Sequence, residues 1–209
     1  MEPLMPDIVI QKPVIASRLI LLFHGVGSRP ESLMTLGRWL ADSLDRAMVV
    51  SVAAPHPFDL GEGLQWFSIK DINEENRLDR IKVEMPHFAD KIRFWQNTAK
   101  VEVNDTAIIG FSQGAIMSLS STQLIETPLA KHVVSLSGRF AKAPQHNPAP
   151  SNVHFLHGNA DKVMPVQHAI QGHDWLETLG TSTTLDTFDG LAHSINHEES
   201  VRLLEILRS

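Results

Sequence analysis

Five residues, Gly110-Phe111-Ser112-Gln113-Gly114, constrain this chain more than any others. An apolar run, Thr106-Ala107-Ile108-Ile109, leads into them, and an apolar segment, Ala115-Ile116-Met117-Ser118-Leu119, follows. Read physically, this is a buried strand, a one-residue corner and then a helix. A side chain at either flanking glycine would collide with the backbone of the neighbouring strand or helix. The serine is then held out of the sheet on a tight turn.

A serine on such a strand-to-helix corner is the nucleophile elbow of the α/β-hydrolase fold. The pattern is short, and it also fits a glycine-flanked helix N-cap, where serine is favoured. The elbow reading therefore requires an acid, a histidine and an oxyanion hole elsewhere in the chain, in the right order.

A length of 209 residues suits one α/β domain spanning 1–209 with a full core. The formal charge of −6 and the lack of a long basic run weigh against a nucleic-acid partner. The absence of cysteine excludes disulfides, thiolate catalysis and cysteine metal sites. The first residues, Met1-Glu2-Pro3-Leu4-Met5-Pro6-Asp7, lack a basic region followed by an apolar stretch, so no signal peptide is expected. No apolar run approaches the length that spans a bilayer. The expectation is a soluble, cytoplasmic protein.

Along the chain, strand and helix patterns alternate. Residues 7–10 are a short strand candidate, and residues 19–23 form a continuous apolar run, the mark of a strand buried on both faces. Pro30 and Glu31 open a helix carrying Leu33, Leu36 and Leu40 at helical spacing. Residues 48–53 are the next strand, and residues 54–73 are a long loop containing Trp66 and Phe67. Residues 76–98 carry Leu78, Ile81, Met85, Phe88, Ile92 and Trp95 in one stripe, which predicts a long helix that Pro86 should kink or split. Beyond the elbow come a strand over 132–136, a proline-rich loop over 141–152 and a strand over 153–156. A helix over 165–179 is ended by Gly180. A strand over 183–188 precedes a closing helix over 194–208, with Val201, Leu204 and Leu207 toward the core. This alternation predicts an α/β fold with a mostly parallel sheet covered on both sides. Ligands sit at the carboxyl ends of strands in such sheets. His24, Ser112, Asp161 and His193 all directly follow predicted strands, so they should share one rim.

A serine hydroxyl needs a histidine to take its proton and an acid to hold that histidine in the right tautomer. In this fold the chain order is serine, acid, histidine. Asp161 follows the 153–156 strand, and two βα units after Ser112 it becomes the favoured acid, although Asp in a loop is more often a turn or cap residue. Asp186 lies within a strand, and Asp189 is too near His193 in sequence; both are weaker. His193, in the last strand-to-helix loop, is the base candidate. Of the other histidines, His146, His168, His173 and His197 lack strand-end placement. An oxyanion hole needs two backbone N–H groups. One is expected from Gln113 at the start of the elbow helix, the other from Val26 in His24-Gly25-Val26-Gly27. A dinucleotide loop there fails, because the third glycine it needs is replaced by Pro30. No His-Glu-x-x-His occurs, and His154 and His157 are three apart on an apparent strand, so they point to opposite faces. No metal site is expected.

Several stretches then occur in a familiar order: Phe23-His24-Gly25-Val26-Gly27, Trp66-Phe67, Gly110 to Ala115, Leu136-Ser137-Gly138, His157-Gly158 through Asp161 to Pro165, and Gly190 to His193. The chain resembles, over nearly its whole length, the phospholipase/carboxylesterase family, which includes acyl-protein thioesterases, lysophospholipases and small bacterial carboxylesterases. The bacterial esterase branch looks closest. The resemblance implies an α/β-hydrolase without a large lid. It implies triad roles for Ser112, Asp161 and His193, oxyanion donors at Val26 and Gln113, and no metal or organic cofactor. It also implies that Trp66 and Phe67 border the acyl pocket, with His24 beside them, although buried aromatics usually only pack. Ser28, Ser68 and Ala192 stand where the family often has Asp, Asp and Gly. The expected substrate is a small carboxylic ester with a short acyl chain. A thioester or lysophospholipid handled by the same triad is the alternative, and a non-catalytic binding protein on a hydrolase fold is the second.

Overall fold

The computed structural model describes residues 5–209, so the first part of the amino-terminal stretch read above lies outside the described residues. Nine strands and five α-helices follow one another along it. They are β1 (Ile8–Gln11), β2 (Arg18–Phe23), α1 (Met34–Ser43), β3 (Ala47–Val52), β4 (His56–Pro57), β5 (Leu64–Gln65) and α2 (Arg77–Ala99). Then come β6 (Thr106–Phe111), α3 (Gln113–Leu124), β7 (His132–Leu136), β8 (Asn152–Gly158), α4 (Gln167–Thr178), β9 (Thr183–Phe188) and α5 (His197–Arg208).

Seven strands form the main sheet in the order β1-β3-β2-β6-β7-β8-β9. Only β1 runs antiparallel to its neighbour. The side-chain period of two splits each strand between two cores. Leu19, Leu21, Phe23, Ile108, Val133 and Phe155 face one way, where Ile81, Phe88 and Ile92 of α2, Ile116 of α3 and Leu176 of α4 cover them. Ile20, Leu22, Ile109, Val134 and Leu156 face the other way, under Leu36 and Leu40 of α1 and Leu203 and Leu207 of α5. Burial on both faces explains why these strands read as unbroken apolar runs rather than as alternation. The arrangement is that of an α/β-hydrolase, with no large lid domain inserted among the described residues.

Three elements differ from expectation. The helix α2 is not split: it runs unbroken through Pro86. Proline removes one hydrogen bond of the ladder, but Ile81, Met85, Phe88, Ala89, Ile92 and Trp95 are all buried on one face, and that packing holds both halves on the sheet. The closing helix starts at His197 rather than Ser194, because the Asn196 side chain accepts the Glu199 N–H at 2.8 Å and caps it. Val201 is 38% exposed, and Leu203 and Ile206 are buried on that helix alongside Leu204 and Leu207. The 54–73 loop is also less irregular than its proline and glycine content implies. Its β4 and β5 pair antiparallel, and Gly27 N–H donates to Leu64 O while Leu64 N–H donates to Ser28 O, both at 2.8 Å. The loop is thereby stitched to the turn after β2.

Candidate active site

Ser112 occupies the corner between β6 and α3, with φ +53° and ψ −114°. Few non-glycine residues adopt a positive φ, so the strain must be held by the surroundings. They leave little choice. A Cβ on Gly110 would lie 2.4 Å from Ala115 N and Gly114 O, and one on Gly114 would lie 2.1 Å from Phe23 O. The Ser112 N–H donates to Leu136 O at the end of β7 (3.0 Å), and its carbonyl accepts the first helical N–H, from Ile116 (3.1 Å).

Two more loops meet this corner at the carboxyl ends of the parallel strands. His193 Nε2 lies 3.0 Å from Ser112 Oγ, and His193 Nδ1 lies 2.6 Å from Asp161 Oδ2. A neutral ring with its proton on Nδ1 satisfies both contacts: Nδ1–H donates to the carboxylate, and Nε2 accepts the serine hydroxyl. Phe111 packs against this ring with centroids 4.9 Å apart. The structure thus brings together the serine, acid and histidine candidates, in hydrogen-bond contact.

Asp161 is held as firmly as the serine. Its Oδ1 accepts the N–H groups of Val163 (2.9 Å) and Met164 (2.8 Å). Burial pushes this carboxyl up, but the Met164 N–H, the bond from His193 and the Val163 N–H together hold it below the ordinary carboxylate range. The group is therefore an anion at neutral pH, suited to orienting an imidazole. Asp186 instead pairs with Arg202 Nε at 2.9 Å, and Asp189 accepts from Asn159 at 2.7 Å.

Two residues not singled out by sequence reasoning shape this corner. Asn159 joins the two loops: its Nδ2 donates to Asp189 Oδ1, and its Oδ1 accepts the Gly190 N–H at 2.9 Å. His157, fully buried, donates from Nε2 to Met164 O at 2.7 Å and so anchors the residue whose own N–H grips Asp161. Burial lowers the His157 pKa, against the pull of that carbonyl, and keeps the ring neutral. A third role belongs to a residue chosen for its backbone. The Gln113 side chain accepts Trp66 N–H at 2.8 Å and donates to Phe67 O at 2.7 Å, fastening the long loop to the elbow. A glutamine next to Ser112 was visible in the sequence, but not which loop it would meet.

The candidate substrate contacts fall differently. The His24 ring is fully buried, donating from Nδ1 to Gly25 O at 2.8 Å and accepting Ala54 N–H on Nε2 at 3.2 Å. Trp66 is 1% exposed and donates from Nε1 to His24 O at 2.8 Å. Both side chains are part of the core beneath the rim, because their polar atoms are already used on backbone groups. Phe67 is buried as well, yet it lines a surface cavity of about 510 Å³ with Ser68, Arg80 and Glu84. Val26 lies in the turn whose Gly27 and Ser28 N–H groups are both used by backbone carbonyls. Gln113 opens α3, where the first N–H groups of a helix have no partner inside it. Among the described residues, the one cluster of potential metal ligands is His173, Asp174 and Glu177 on α4, whose two carboxylates are exposed.

This geometry can be set beside known proteins. The family described as Phospholipase/Carboxylesterase matches residues 6–208. The chain belongs to that family. Esterase YpfH of Escherichia coli strain K12 is 39% identical over 201 residues, covering 96% of this chain and 86% of its own. Acyl-protein thioesterase 1 of Yarrowia lipolytica is 25% identical over 221 residues, covering 98% and 97%. The crystal structure of esterase PE8 superposes with a TM-score of 0.86 at 26% identity, covering 97% of this chain and 96% of that one. The phospholipase/carboxylesterase chain described here is thus a serine-hydrolase-type α/β-hydrolase of the esterase and thioesterase branch.

Proposed function

We propose that this protein hydrolyses small carboxylic esters through an acyl-enzyme on Ser112. The observation that carries the reading is the continuous hydrogen-bond path from Asp161 through His193 to Ser112, at 2.6 and 3.0 Å. Ser112 Oγ attacks the ester carbonyl as its proton passes to His193 Nε2. The carbonyl oxygen becomes an oxyanion, held by the N–H groups of Val26 and Gln113. On collapse, the proton on Nε2 moves to the departing alkoxide, and the alcohol leaves. Water then gives a proton to His193 Nε2 as its oxygen attacks the acyl carbonyl, and on collapse Nε2 returns that proton to Ser112 Oγ while the carboxylic acid leaves. Asp161 keeps the ring in the tautomer with Nε2 facing the serine and balances its transient positive charge. Each step uses side chains and backbone N–H groups alone.

The esterase similarity at 39% identity favours an oxygen ester. The thioesterase relative makes a thioester the second reading, with the same steps and a thiolate as leaving group. A panel of 4-nitrophenyl esters and acyl thioesters of graded chain length separates the two. Wild type should turn over the short oxygen esters best, and Ser112→Ala should lower kcat by at least about 10³-fold. Equal turnover by wild type and Ser112→Ala would reject the mechanism. Wild-type turnover of the thioesters faster than of the oxygen esters, lost in Ser112→Ala, would give the substrate assignment to the thioester reading.

A further inference from the structure

The same rim carries a group of cations that the triad does not use. Glu74, in the segment before α2, is 68% exposed and takes contacts from two arginines. Arg139 places only Nη2 on it, at 2.7 and 2.6 Å from its two oxygens, and Arg77 also places only Nη2, at 3.2 Å. The side chains of Arg139 and Arg77 are 13% and 17% exposed, and the Nε of each is buried with no hydrogen-bond partner. Beside them opens a cavity of about 350 Å³, walled by Arg139, Lys142, His168, Phe140 and Trp175, with Glu74 at its side. Two arginines therefore hold one carboxylate, and Lys142 lines the same cavity, in a chain whose formal charge is −6.

A structural tie alone accounts poorly for this arrangement. An arginine holding a carboxylate for stability presents its fork, with two N–H groups on two oxygens. Here both forks are unused, and each orphaned N–H costs free energy. Arg77 also stands at the first position of α2, where the helix dipole disfavours a cation. Burial, and then the neighbouring Arg139, press on its charge.

The segment that carries Arg139 adjoins the elbow. Ser112 N–H is bonded to Leu136 O, and a Cβ on Gly138 would lie 2.3 Å from Cβ of Ala115 in the elbow helix. Arg139 follows directly and lies three residues beyond Leu136, within about 11 Å of it by chain length. His168 lines the same cavity, and burial, then the nearby Arg139, lower its pKa.

We propose that Arg139 and Arg77 form a subsite for an anionic group, a carboxylate or phosphate, carried by the substrate a few bonds from its ester carbonyl, and that exposed Glu74 occupies the subsite until that group displaces it. This rests on the esterase reading above. A planar anion entering from the cavity takes Nε and Nη2 of Arg139 together, which Glu74 does not do.

The test compares kcat/KM for matched esters with and without a negative charge. On the acyl side the pair is mono-4-nitrophenyl glutarate and 4-nitrophenyl butyrate. On the alcohol side it is 4-acetoxybenzoate and its methyl ester. In at least one pair the anionic-to-neutral ratio should fall at least tenfold in Arg139→Gln and rise at least threefold in Glu74→Gln. The second change is measured at low and at about 0.5 M salt, since loss of one exposed negative charge by itself favours an anion through long-range attraction that salt screens, whereas a subsite freed for direct contact keeps the rise. Glu74→Gln also keeps the proposal open to refutation if Arg139→Gln fails to fold. Ratios unchanged within twofold in both pairs for every folded variant would overturn the subsite. Absent hydrolysis of the neutral esters by wild type would instead overturn the esterase reading.

Discussion

Asp161 is the residue on which the proposed chemistry turns, because it spends both oxygens: one on two backbone N–H groups and the other on His193. Asp161→Asn keeps the size of the side chain, but its amide invites the wrong imidazole tautomer. The expected outcome is a fall in kcat of about 10³–10⁴-fold with a near-normal melting temperature, read by ester assay and thermal unfolding. A change of less than tenfold would remove Asp161 from the reaction. At this scale the meeting of Ser112, Asp161 and His193 was legible, because the chemistry proposed for them demands an order along the chain and a place after a strand. Asn159, His157 and the Gln113 side chain were not, because their parts depend on which loops meet in space. Trp66 and His24 show the converse: their motifs were readable, but a motif does not say whether a side chain faces the rim or the core.

Among the elements, α2 tests how far tertiary packing overrides local preference. Pro86 is exposed, and the helix continues through it because its opposite face is pinned. Pro86→Ala restores a backbone donor and should stabilise the protein by about 1–3 kcal/mol, seen as a higher urea midpoint with an unchanged m-value. A loss of stability would mean that the proline shapes the helix to fit the sheet. The strands of the main sheet were legible because burial on both faces leaves unbroken apolar runs. The start of α5 was not, because Ser194 and Asn196 are both plausible caps, and only Asn196 reaches the Glu199 N–H. The β4–β5 pair was hidden because its strands are two residues each and gain their stability from the turn they are stitched to.

For the molecule as a whole, three buried groups away from the triad set most of the dependence of stability on pH. His132 Nδ1 and His154 Nε2 are 3.2 Å apart, and His154 Nδ1 is 2.9 Å from Thr184 Oγ1. Burial takes each ring down to about 4, helped for His132 by Lys131 and Arg18 and for His154 by His132 and Arg202. Folded pKa values below 6.5 mean that the unfolded chain binds more protons, so their contribution is lost as pH falls from 6.5 toward 4. Glu199 has the opposite sign. Burial pushes it up to about 8, and the Asn196 N–H, outside hydrogen-bond geometry, pulls only weakly the other way. The folded state keeps this proton, so its contribution is lost as pH rises from about 4.5 through 8. His24 and His157, lowered by burial as well, steepen the acid limb, so the opposing trends should balance and stability peak near about pH 7 in urea titrations across pH 4–9. Glu199→Gln should flatten the alkaline limb and stabilise the protein at pH 8 by about 3–5 kcal/mol. An unchanged alkaline limb would show that Glu199 is ionised in place. No helix among the described residues is long and apolar enough to cross a membrane. The central claim is that Ser112 is a nucleophile activated by His193 and Asp161. Labelling with a fluorophosphonate, followed by peptide mapping, tests it most directly. The account predicts one adduct per chain, on Ser112, absent in Ser112→Ala and formed at least about a hundredfold more slowly in His193→Ala. Folded wild-type protein that stays unlabelled, or that carries the adduct elsewhere, would contradict it.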